Sequence, residues 1–578
     1  MKKEFIIDGT TFTFDHSEDV EIEFSLQSQD DGISFYRVAF DWGKLVSPKT
    51  ISLDWEIPSV DMYYMWDPIN KIRDKSFGFR ATESRLPSGM PLKSMVARDS
   101  KNAYLIAMSD VKTPLSLRMR CSQYSPVIPV GIDFFTMLCG PFQKYETVIR
   151  IDTRRISFDQ AIYSAVDWFA QLGYKNDYVP DSALKPMYST WYSYTQSISA
   201  EAALRECRKA VEYGMDTIIV DDGWHTQNYE SMYGYCGDWI PDAKKFPDMK
   251  GFVDVVHSLG MKVMLWYATP FMGKFASMYK DFEGRFLSYS EFCQNYVMDP
   301  RYRKVRDFLV DVFSYAVREW GFDGLKLDFI NNFKTNGEYN EEMDVVSVED
   351  ATEMLLREVN KALRDIDPDV LIEFRQPYFG PVVSTYGNMM RVWDCPLDGY
   401  CNRVQALNLR LVSGECAVHS DMMYWHTDDT DESVALQLWG TMFSVPQIST
   451  RMEEMTGEHG KVLKNYLDFW NEHRDTLMRS RLSMTMCENG YGTVTANGKG
   501  ESITMLADVP VYEADYISDL AHVINITDKT EIIIKNKECK RLMYKVYDCK
   551  GNMISDEVAK DRYFEIDVPA GGRIQINL

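Results

Sequence analysis

The sequence lacks clustered cysteines, long apolar runs and an excess of basic residues, and each absence excludes a class of protein. Its 11 cysteines are scattered without a CxxC pair, which fits a reducing compartment better than a disulfide framework. No run of about 18 apolar residues is present, so no transmembrane helix is predicted. The segment Met1–Asp8 starts basic but leads into no apolar stretch of signal-peptide length, and we therefore expect a cytoplasmic protein.

The charge balance excludes two kinds of partner. Acidic residues outnumber basic ones by 86 to 63, and the formal net charge is −23. Nucleic acids and anionic membranes require basic patches, so neither is expected as a partner. A neutral ligand suits this charge, although solubility alone explains it equally well. Aromatic residues make up 13% of the chain; their faces suit sugar rings, but filling a core is their commoner role.

The pattern of apolar residues divides the chain into three parts. A length of 578 residues is too great for one ordinary core. Short alternating segments predict a β-sandwich over residues 1–178, closed by a helix over Phe158–Leu172. Residues 179–483 alternate short strands with longer amphipathic helices, and residues 484–578 return to a strand pattern that predicts an antiparallel β-sandwich.

The central part predicts a (β/α)8 TIM barrel, because eight strand candidates alternate with helices. Ser199 and Ser347 stand where helix N-caps belong, and Gly214 and Gly321 stand where helices stop. An open doubly wound sheet is the alternative, but no glycine-rich phosphate turn follows the first strand. The strands are predicted at Met187–Trp191, Thr217–Val220, Lys262–Trp266, Gly324–Asp328, Val370–Phe374, Met389–Trp393, Ala417–Ser420 and Phe443–Pro446, and the helices include Ala200–Tyr213, Tyr302–Trp320 and Val348–Ile366.

Polar and aromatic residues gather at the ends of the predicted barrel strands. In this fold the active site lies at the C-terminal ends of the strands. Carboxylates and aromatic rings directed at one mouth predict a carbohydrate-processing site. These strand-end residues are Asp221 and Asp222, Trp266, Lys326 and Asp328, Glu373 and Arg375, Arg391 and Asp394, and Asp421.

Lys326 and Asp328 share one face of a strand, because strand side chains alternate. A cation beside a carboxylate lowers its pKa, and a glycosidase nucleophile must be ionised. A structural Lys–Asp pair explains the same spacing equally well. Asp394 is the candidate second carboxylate, acting as general acid and then as base, although a loop aspartate before a turn is the commoner interpretation of that residue alone.

Asp221 and Asp222 form a second local signal. Two adjacent carboxylates at a strand end are costly unless they meet hydrogen-bond donors, and the hydroxyls of a sugar supply donors. A turn or an N-cap before Gly223 is the alternative. Because neighbouring side chains point to opposite sides, one of the two is the expected ligand.

The order and spacing of these motifs resemble the α-galactosidases of glycoside hydrolase clan D, and family 36 most of all. The resemblance holds in detail from strand two to strand four, and the β–barrel–β plan extends it over most of the chain. The motifs are Val220–Trp224, Gly237–Trp239 followed by Asp242 and Lys245–Pro247, His257–Lys262 leading into Leu265 and Trp266, and Lys326–Asp328.

The resemblance implies a retaining mechanism through a covalent glycosyl-enzyme. Asp328 matches the nucleophile, Asp394 the acid/base, and Arg391 an arginine that contacts the sugar. The spacing from Arg391 to Asp394 is one residue shorter than the usual one, and Asp421 is the reserve candidate. No metal or organic cofactor is implied, and an oligosaccharide or glycoside is the expected partner.

The same resemblance implies a set of sugar-binding residues. Asp221 and Asp222 match the carboxylates that hold the C4 and C6 hydroxyls of galactose. Lys326 matches the lysine beside the nucleophile, and Trp266 lines the pocket. The N-terminal domain of family 36 also lends an aromatic residue to the site; Trp66 is the candidate here, although an aromatic residue in such a run is more often core.

Strand five departs from the family. A cysteine- and glycine-rich segment, or a glutamate, usually faces C2 of the sugar there, whereas this chain has Glu373–Pro377. Arg375 would bring a cationic guanidinium to the sugar or pair with nearby carboxylates.

From the motifs and the resemblance together, we expect an exo-acting α-galactosidase. The open alternatives are an α-N-acetylgalactosaminidase or another retaining α-glycosidase, a transglycosylase, and a carbohydrate-binding relative without catalysis. A homo-oligomer also stays open.

Overall fold

The computed structural model describes residues 1–69, 81–121, 124–228, 230–514, 516 and 518–578. In chain order these residues form a β-sandwich, a parallel eight-stranded barrel and a second β-sandwich, which confirms the predicted fold class. Among them, none of the helices combines the length and apolarity that crossing a bilayer requires.

The N-terminal part packs two six-stranded sheets against each other. Its strands bury alternate residues, as one-sided sheets do; in the strand from Ile51 to Pro58, Ile51, Leu53, Trp55 and Ile57 all point inward. The elements are β1 (Lys2–Ile7), β2 (Thr10–Asp15), β3 (Glu21–Asp30), β4 (Ile33–Val46), β5 (Ile51–Pro58), β6 (Tyr64–Trp66), β7 (Thr82–Ser84), β8 (Leu92–Val96), β9 (Asn102–Met108), β10 (Leu115–Met119), β11 (Val127–Phe134), β12 (Phe142–Asp152) and α1 (Phe158–Gln171). The sheet orders are β1-β2-β5-β11-β10-β7 and β3-β4-β12-β9-β8-β6.

The barrel strands are short and apolar because they are buried on both faces. They are β13 (Met187–Ser189), β14 (Thr217–Val220), β15 (Lys262–Ala268), β19 (Gly324–Asp328), β20 (Leu371–Arg375), β21 (Met389–Arg391), β22 (Ala417–His419) and β23 (Gln447–Ile448). Their order is β22-β21-β20-β19-β15-β14-β13-β23, with parallel neighbours throughout. Parallel bridges between His419 and Val445 and between Met423 and Ile448 bring β22 next to β23 and nearly close the ring.

Helices surround the barrel, and a small sheet extends the loop after β15. The N-caps predicted at Ser199 and Ser347 are confirmed by side-chain bonds to the backbone N–H groups of Ala202 and Asp350. The helices are α2 (Trp191–Tyr194), α3 (Ala200–Glu212), α4 (Met249–Ser258), α5 (Tyr279–Phe282), α6 (Arg303–Tyr315), α7 (Val348–Ile366), α8 (Pro381–Tyr386), α9 (Gly399–Val412), α10 (Asp431–Gly440), α11 (Gly457–Glu472) and α12 (Arg474–Arg479), and the added strands are β16 (Phe271–Gly273), β17 (Phe286–Ser290) and β18 (Asn295–Met298).

The eighth barrel strand lies later than the sequence predicts. The predicted segment Phe443–Pro446 precedes β23, which pairs Gln447 and Ile448 with Met187 and Tyr188. Every residue from 441 to 450 is buried, so the apolar pattern indicates burial there but does not fix where pairing begins. Pro446 also has no N–H to donate, and it enters the ladder only as an acceptor, from the N–H of Met187.

The C-terminal part is a smaller sandwich of a seven-stranded and a three-stranded sheet. Most neighbours are antiparallel, but β26 and β28 are parallel, as are β27 and β29. The strands are β24 (Leu482–Cys487), β25 (Gly490–Asn497), β26 (Glu501–Leu506), β27 (Val511–Glu513), β28 (Leu520–Asn525), β29 (Glu531–Lys535), β30 (Leu542–Tyr547), β31 (Met553–Ala559), β32 (Tyr563–Asp567) and β33 (Arg573–Asn577). Domain boundaries at residues 178 and 483 stay predictions.

Candidate active site

The C-terminal ends of β19, β20 and β21 bring three charged side chains to one place in the barrel mouth. Asp328 ends β19, Arg375 ends β20, and Asp394 follows β21 by three residues. Since β20 lies between β19 and β21 in the sheet, the arginine stands between the two carboxylates. Its Nε lies 3.1 Å from Asp328 Oδ1, and its terminal nitrogen lies 3.9 Å from Asp394 Oδ2.

Asp328 is held by donors on both of its oxygens. Oδ1 accepts hydrogen bonds from Arg375, from the Tyr378 hydroxyl and from the backbone N–H of Phe329 at 2.8 Å. Oδ2 accepts one from Trp266 Nε1 at 3.0 Å, and within the described residues that is its only donor. The carboxylate is therefore fixed in orientation, with Oδ2 the less occupied oxygen.

The charges around Asp328 keep it ionised. Burial raises the pKa of this carboxyl, but the charges of Arg375 and Lys326 outweigh burial and hold the pKa below its ordinary value, helped by the bonds from Tyr378 and Trp266. A carboxylate that stays ionised in a buried site has the protonation state that a nucleophile needs.

Asp394 is more open than Asp328, because 42% of its side chain is exposed. Its Oδ1 accepts a hydrogen bond from Arg391 at 2.9 Å. Partial burial raises the pKa of Asp394, but Arg391, Arg375 and Lys326 together hold it well below the usual range. These three cations therefore favour the ionised form of Asp394.

Arg391 connects Asp394 to the barrel interior. Besides Asp394 it binds Asp421, and its Nε lies 3.7 Å from a carboxylate oxygen of Glu373. Arg391 is 1% exposed, and Asp421 and Glu373 are fully buried. The arginine is thus held by three carboxylates, and Asp394 is the one that faces the mouth.

The reserve acid/base candidate Asp421 does not reach the mouth. Its Oδ1 is bonded to Arg391, and its Oδ2 accepts from the Tyr192 hydroxyl at 2.9 Å and from the Cys395 N–H at 2.7 Å. The Asn402 side chain bonds to its backbone on both sides. Asp421 orients Arg391 and the residue after Asp394, so its contribution to the site is positional.

Lys326 pairs with a different carboxylate from the one that the strand pattern suggests. Its ammonium lies 2.5 Å from Asp221 Oδ2. Burial raises the pKa of Asp221, and Lys326 lowers it. Although Lys326 acts electrostatically on Asp328, the cation that contacts Asp328 is Arg375.

Asp222 lies beside Asp221 and faces the loops of the first two β/α units. Its Oδ2 accepts from Gln196 Nε2 at 2.6 Å. Its Oδ1 lies 3.3 Å from His225 Nε2 without hydrogen-bond geometry, and no described residue supplies it with a hydrogen bond. Asp222 therefore has an acceptor oxygen that a bound hydroxyl would satisfy after a small movement.

Aromatic rings line the mouth next to Asp328. Trp266 stacks loosely on His225 and Tyr233, with ring centroids 6.4 and 6.3 Å apart. Phe329 contacts Tyr233 edge-on and adopts a left-handed backbone conformation with φ 66°. This conformation turns the chain sharply after Asp328 and places an aromatic ring beside the carboxylate.

The structure places Trp66 away from the mouth, which corrects the expectation for this residue. Trp66 is 0% exposed, and its indole N–H donates to Tyr491 at 2.9 Å and to Asn408 at 3.2 Å. Asn408 belongs to α9 of the barrel and Tyr491 to the C-terminal sheet. Trp66 therefore ties the three parts of the chain together and presents no face to a sugar.

Loops of the N-terminal sandwich support the mouth from outside. Arg85, which is 7% exposed, donates to the backbone carbonyls of Asn331 and Phe333, in the turn after Asp328. Gly89 donates its N–H to the carbonyl of Pro377, next to Tyr378. The sandwich thus holds both loops that surround the carboxylate of Asp328.

Sequence reasoning missed Tyr378, Tyr192 and Gln196. Tyr378 lies three residues beyond β20, Tyr192 lies in α2 and Gln196 in the turn after it. These residues stand outside the strand ends, where periodicity gives no direction for a side chain. The order of the strands does give one signal, for Arg375. Because Arg375 ends β20, it must lie between the residues that end β19 and β21.

The mouth has the groups that acid–base and nucleophilic chemistry require, and Asp328, Asp394 and Asp221 each have a cationic side chain close by. Among the described residues, the one cluster of three His and carboxylate groups with metal-ligand spacing is His473, Glu501 and His522. It lies between the last helices of the barrel and the C-terminal sheet. The mouth itself presents a nucleophile candidate, an open carboxylate and an aromatic wall.

Comparison with known proteins finds sequence similarity to glycoside hydrolases. The melibiase family model matches residues 183–375. The A type blood α-D-galactosamine galactosaminidase of Flavonifractor plautii is 25% identical over 216 residues, 33% of this chain and 19% of that protein. The α-galactosidase Mel36A of Lactobacillus acidophilus is 30% identical over 130 residues, 21% of this chain and 17% of that protein. The aligned segments thus span less than a fifth of either relative.

Solved structures match over almost the whole chain. The GH36 α-galactosidase AgaA of Geobacillus stearothermophilus has a TM-score of 0.63 at 13% identity, covering 98% of this chain and 83% of that one. The α-galactosidase of Lactobacillus brevis has a TM-score of 0.61 at 12% identity, covering 98% and 86%. At these identities the likeness establishes the fold, whereas the melibiase match and the curated relatives add the sequence link. The chain therefore resembles the GH36 α-galactosidases in fold over almost its whole length, and the melibiase family in sequence over residues 183–375.

Proposed function

We propose that the protein is a retaining, exo-acting α-galactosidase that hydrolyses terminal α-galactosides through a covalent glycosyl-enzyme. The observation that supports this most is the Arg375 guanidinium, which contacts Asp328 at one end and approaches Asp394 at the other. Two carboxylates that share one guanidinium are near enough to act on a single sugar ring. Retaining glycosidases need a pair about 5–5.5 Å apart.

Asp328 is the nucleophile of this proposal, through its Oδ2 atom. Because Oδ1 already accepts three hydrogen bonds, Oδ2 keeps more of its capacity for bonding. It attacks the anomeric carbon as the glycosidic bond breaks, and Asp394 gives its proton to the departing oxygen. Asp394 then takes a proton from water, the hydroxide oxygen bonds to the anomeric carbon, and Asp328 leaves as the free carboxylate.

The first step requires a protonated Asp394, and the charges around it oppose that state. A leaving-group sugar would cover this exposed carboxyl and remove water from it, which raises its pKa. Competition by the substrate for Arg375 would act in the same direction. We infer that binding, and not the empty site, prepares Asp394 as an acid.

The same proposal assigns the remaining strand-end residues to the sugar. Asp221 and Asp222 accept hydrogen bonds from the C4 and C6 hydroxyls, and Lys326 orients Asp221 from the barrel interior. Trp266 supplies an apolar face as well as its bond to Asp328. The AgaA structure, which holds raffinose, motivates an oligosaccharide as the natural substrate.

An α-N-acetylgalactosaminidase is the second candidate. It is motivated by Arg375 on strand five, where a donor to an acetamido carbonyl would stand. The Flavonifractor plautii relative is named for galactosamine, the sugar with a free amino group, which makes that sugar a third one to compare. The positive charge of Arg375 disfavours a sugar with a free 2-ammonium group. A panel of nitrophenyl α-glycosides of galactose, N-acetylgalactosamine and galactosamine separates the three sugars by kcat/KM, and the highest value for galactose is expected.

Mass spectrometry after treatment with an activated fluoro-galactoside tests the proposal. We expect a label of one fluoro-galactosyl group on the peptide that contains Asp328, formed at the rate at which activity disappears. A label on another carboxylate, or turnover without any covalent adduct, would contradict the assignment of the nucleophile.

A further inference from the structure

A buried cluster of two histidines and one glutamate lies where the barrel meets the C-terminal sandwich. His473 stands between α11 and α12, Glu501 begins β26, and His522 lies in β28. In the parallel pairing of β26 and β28, Ile503 is opposite His522, so Glu501 and His522 share the face that packs on the helices. The sheet register therefore places these side chains together.

The three groups are close enough to hold one ion. One ligand atom from each lies within 4.8 Å of the other two. His473 Nδ1 is already 2.8 Å from Glu501 Oε2, and the two imidazole rings lie 4.6 Å apart between centroids. A tetrahedral zinc ion with bonds of about 2.0–2.2 Å holds its ligand atoms roughly 3.4 Å apart. Small side-chain rotations would close the cluster to that geometry.

His522 provides an independent reason to expect a ligand. It is 3% exposed, and neither of its ring nitrogens finds a hydrogen-bond partner in the described part of the chain. A buried imidazole without partners is costly, and buried polar groups in folded proteins are almost always satisfied. A cation bound to one nitrogen of His522 would satisfy that nitrogen.

The surroundings of the cluster suit a structural ion. The Thr476 hydroxyl donates to Glu501 Oε1 and would orient that carboxylate as outer-shell partners of metal ligands do. Arg573 is near enough to act on His522 electrostatically, but its guanidinium lies over the rings of Tyr547 and Phe469, at 4.0 and 5.3 Å. The Glu501 carboxylate supplies the negative charge of the site.

We propose that His473, Glu501 and His522 bind one divalent cation of the zinc class, with water as the fourth ligand. Two imidazoles and one carboxylate are a common donor set for such an ion. The ion would join the helix-ending residue His473 to two strands of the C-terminal sheet. It would stabilise that junction and take no part in glycoside chemistry.

Zinc titration of the full-length protein, stripped with chelator beforehand, tests this proposal. The wild type is expected to bind one equivalent more tightly, by at least tenfold, than the variant His522→Phe, and to gain thermal stability that the variant does not gain. The variant His426→Phe is the control, because His426 lies on an exposed loop and should behave as the wild type. Cobalt should give the visible absorption of a four-coordinate site in the wild type and not in His522→Phe.

The result that would overturn the proposal is equally specific. If His522→Phe is more stable than the wild type at every zinc concentration and both bind zinc alike, His522 is an unsatisfied core residue. Equal cobalt spectra for the two proteins would lead to the same conclusion. Either result leaves the proposed hydrolase activity untouched, since no catalytic group belongs to the cluster.

Discussion

Asp328 and Asp394 share Arg375 as a neighbour but lie in contrasting surroundings. The side chain of Asp328 is 7% exposed and accepts four hydrogen bonds from fixed donors. Asp394 is 42% exposed and is held by Arg391, with Arg375 farther away. The protein thus sets the charge and direction of Asp328 before any substrate arrives, whereas the state of Asp394 depends on what covers it.

This difference follows from where each residue stands on its strand. Asp328 is the last residue of β19 and is still part of the barrel wall, where the neighbouring strands and the loops that follow them supply its partners. Asp394 lies three residues past β21, on a loop where Arg391 bonds to its side chain and Asp421 bonds to the backbone of the next residue. A nucleophile must be fixed, and an acid/base must change its protonation state twice in each cycle.

Replacement of Asp328, the proposed nucleophile, should have the largest effect on activity. Asp328→Ala is expected to lose activity on the order of 10⁶-fold, the loss that removal of a covalent nucleophile causes. The loss should be similar for good and poor leaving groups, because the glycosyl-enzyme cannot form. Steady-state kinetics with nitrophenyl and disaccharide substrates measures it; a loss confined to poor leaving groups would show that Asp328 is not the nucleophile.

Asp394→Ala should differ from Asp328→Ala in its dependence on the leaving group. We expect a loss of about 10²–10⁴-fold in kcat/KM for disaccharides and a much smaller one for nitrophenyl galactosides, whose leaving groups need no proton. Azide should accelerate the second step and give a galactosyl azide of retained configuration. An equal loss for both substrate types, without azide rescue, would indicate that another group is the acid/base.

Arg375→Met should shift the pH dependence of kcat, which reports ionisation in the enzyme with substrate bound. Arg375 lowers the pKa of Asp328, which must be ionised, and of Asp394, which must be protonated. Removing its charge raises both pKa values, so the acid limb and the alkaline limb should both move to higher pH. Arg375→Lys keeps the charge and should move the limbs less. Limbs that stay in place in Arg375→Met would show that Arg375 does not control the pair.

Tyr378→Phe should have the smallest effect on activity. It should slow mainly the second step, which is hydrolysis of the glycosyl-enzyme. The Tyr378 hydroxyl stabilises Asp328 as an anion, so its loss makes Asp328 a poorer leaving group from the glycosyl-enzyme. We expect kcat to fall about tenfold, with less change in kcat/KM and a pre-steady-state burst. Tyr386→Phe, which removes a hydroxyl bonded to Glu353 on the neighbouring helices, is the matched control and should leave both constants unchanged.

The fold could be predicted almost completely from the sequence, because buried strands and amphipathic helices leave clear periodic patterns. The segments Thr217–Val220 and Gly324–Asp328 match β14 and β19 to the residue. The pattern failed at Phe443–Pro446, where every neighbour is buried as well and apolar residues no longer mark the strand. The periodicity of apolar residues indicates which residues are buried. It indicates which residues pair in a strand only where buried and exposed residues alternate or where a buried segment ends.

The site was predictable only in part, for a related reason. Strand position places Asp328, Arg375 and Arg391 at the mouth, since strand ends converge there. It does not choose partners, so the bond of Lys326 to Asp221 and the contact of Arg375 with Asp328 emerged only from the structure. Trp66 shows a second limit of the sequence. The pattern does not show whether an aromatic residue in a strand faces a ligand or a domain junction.

Asp328 and Asp394 are proposed to act on one anomeric carbon from opposite faces of the sugar. A crystal structure of the protein trapped with a fluoro-galactosyl group tests it most directly. We expect a bond from Asp328 Oδ2 to that carbon, with the Asp394 carboxylate across the ring and within reach of the attacking water. A sugar bonded elsewhere, or an Asp394 turned away from the ring, would contradict it.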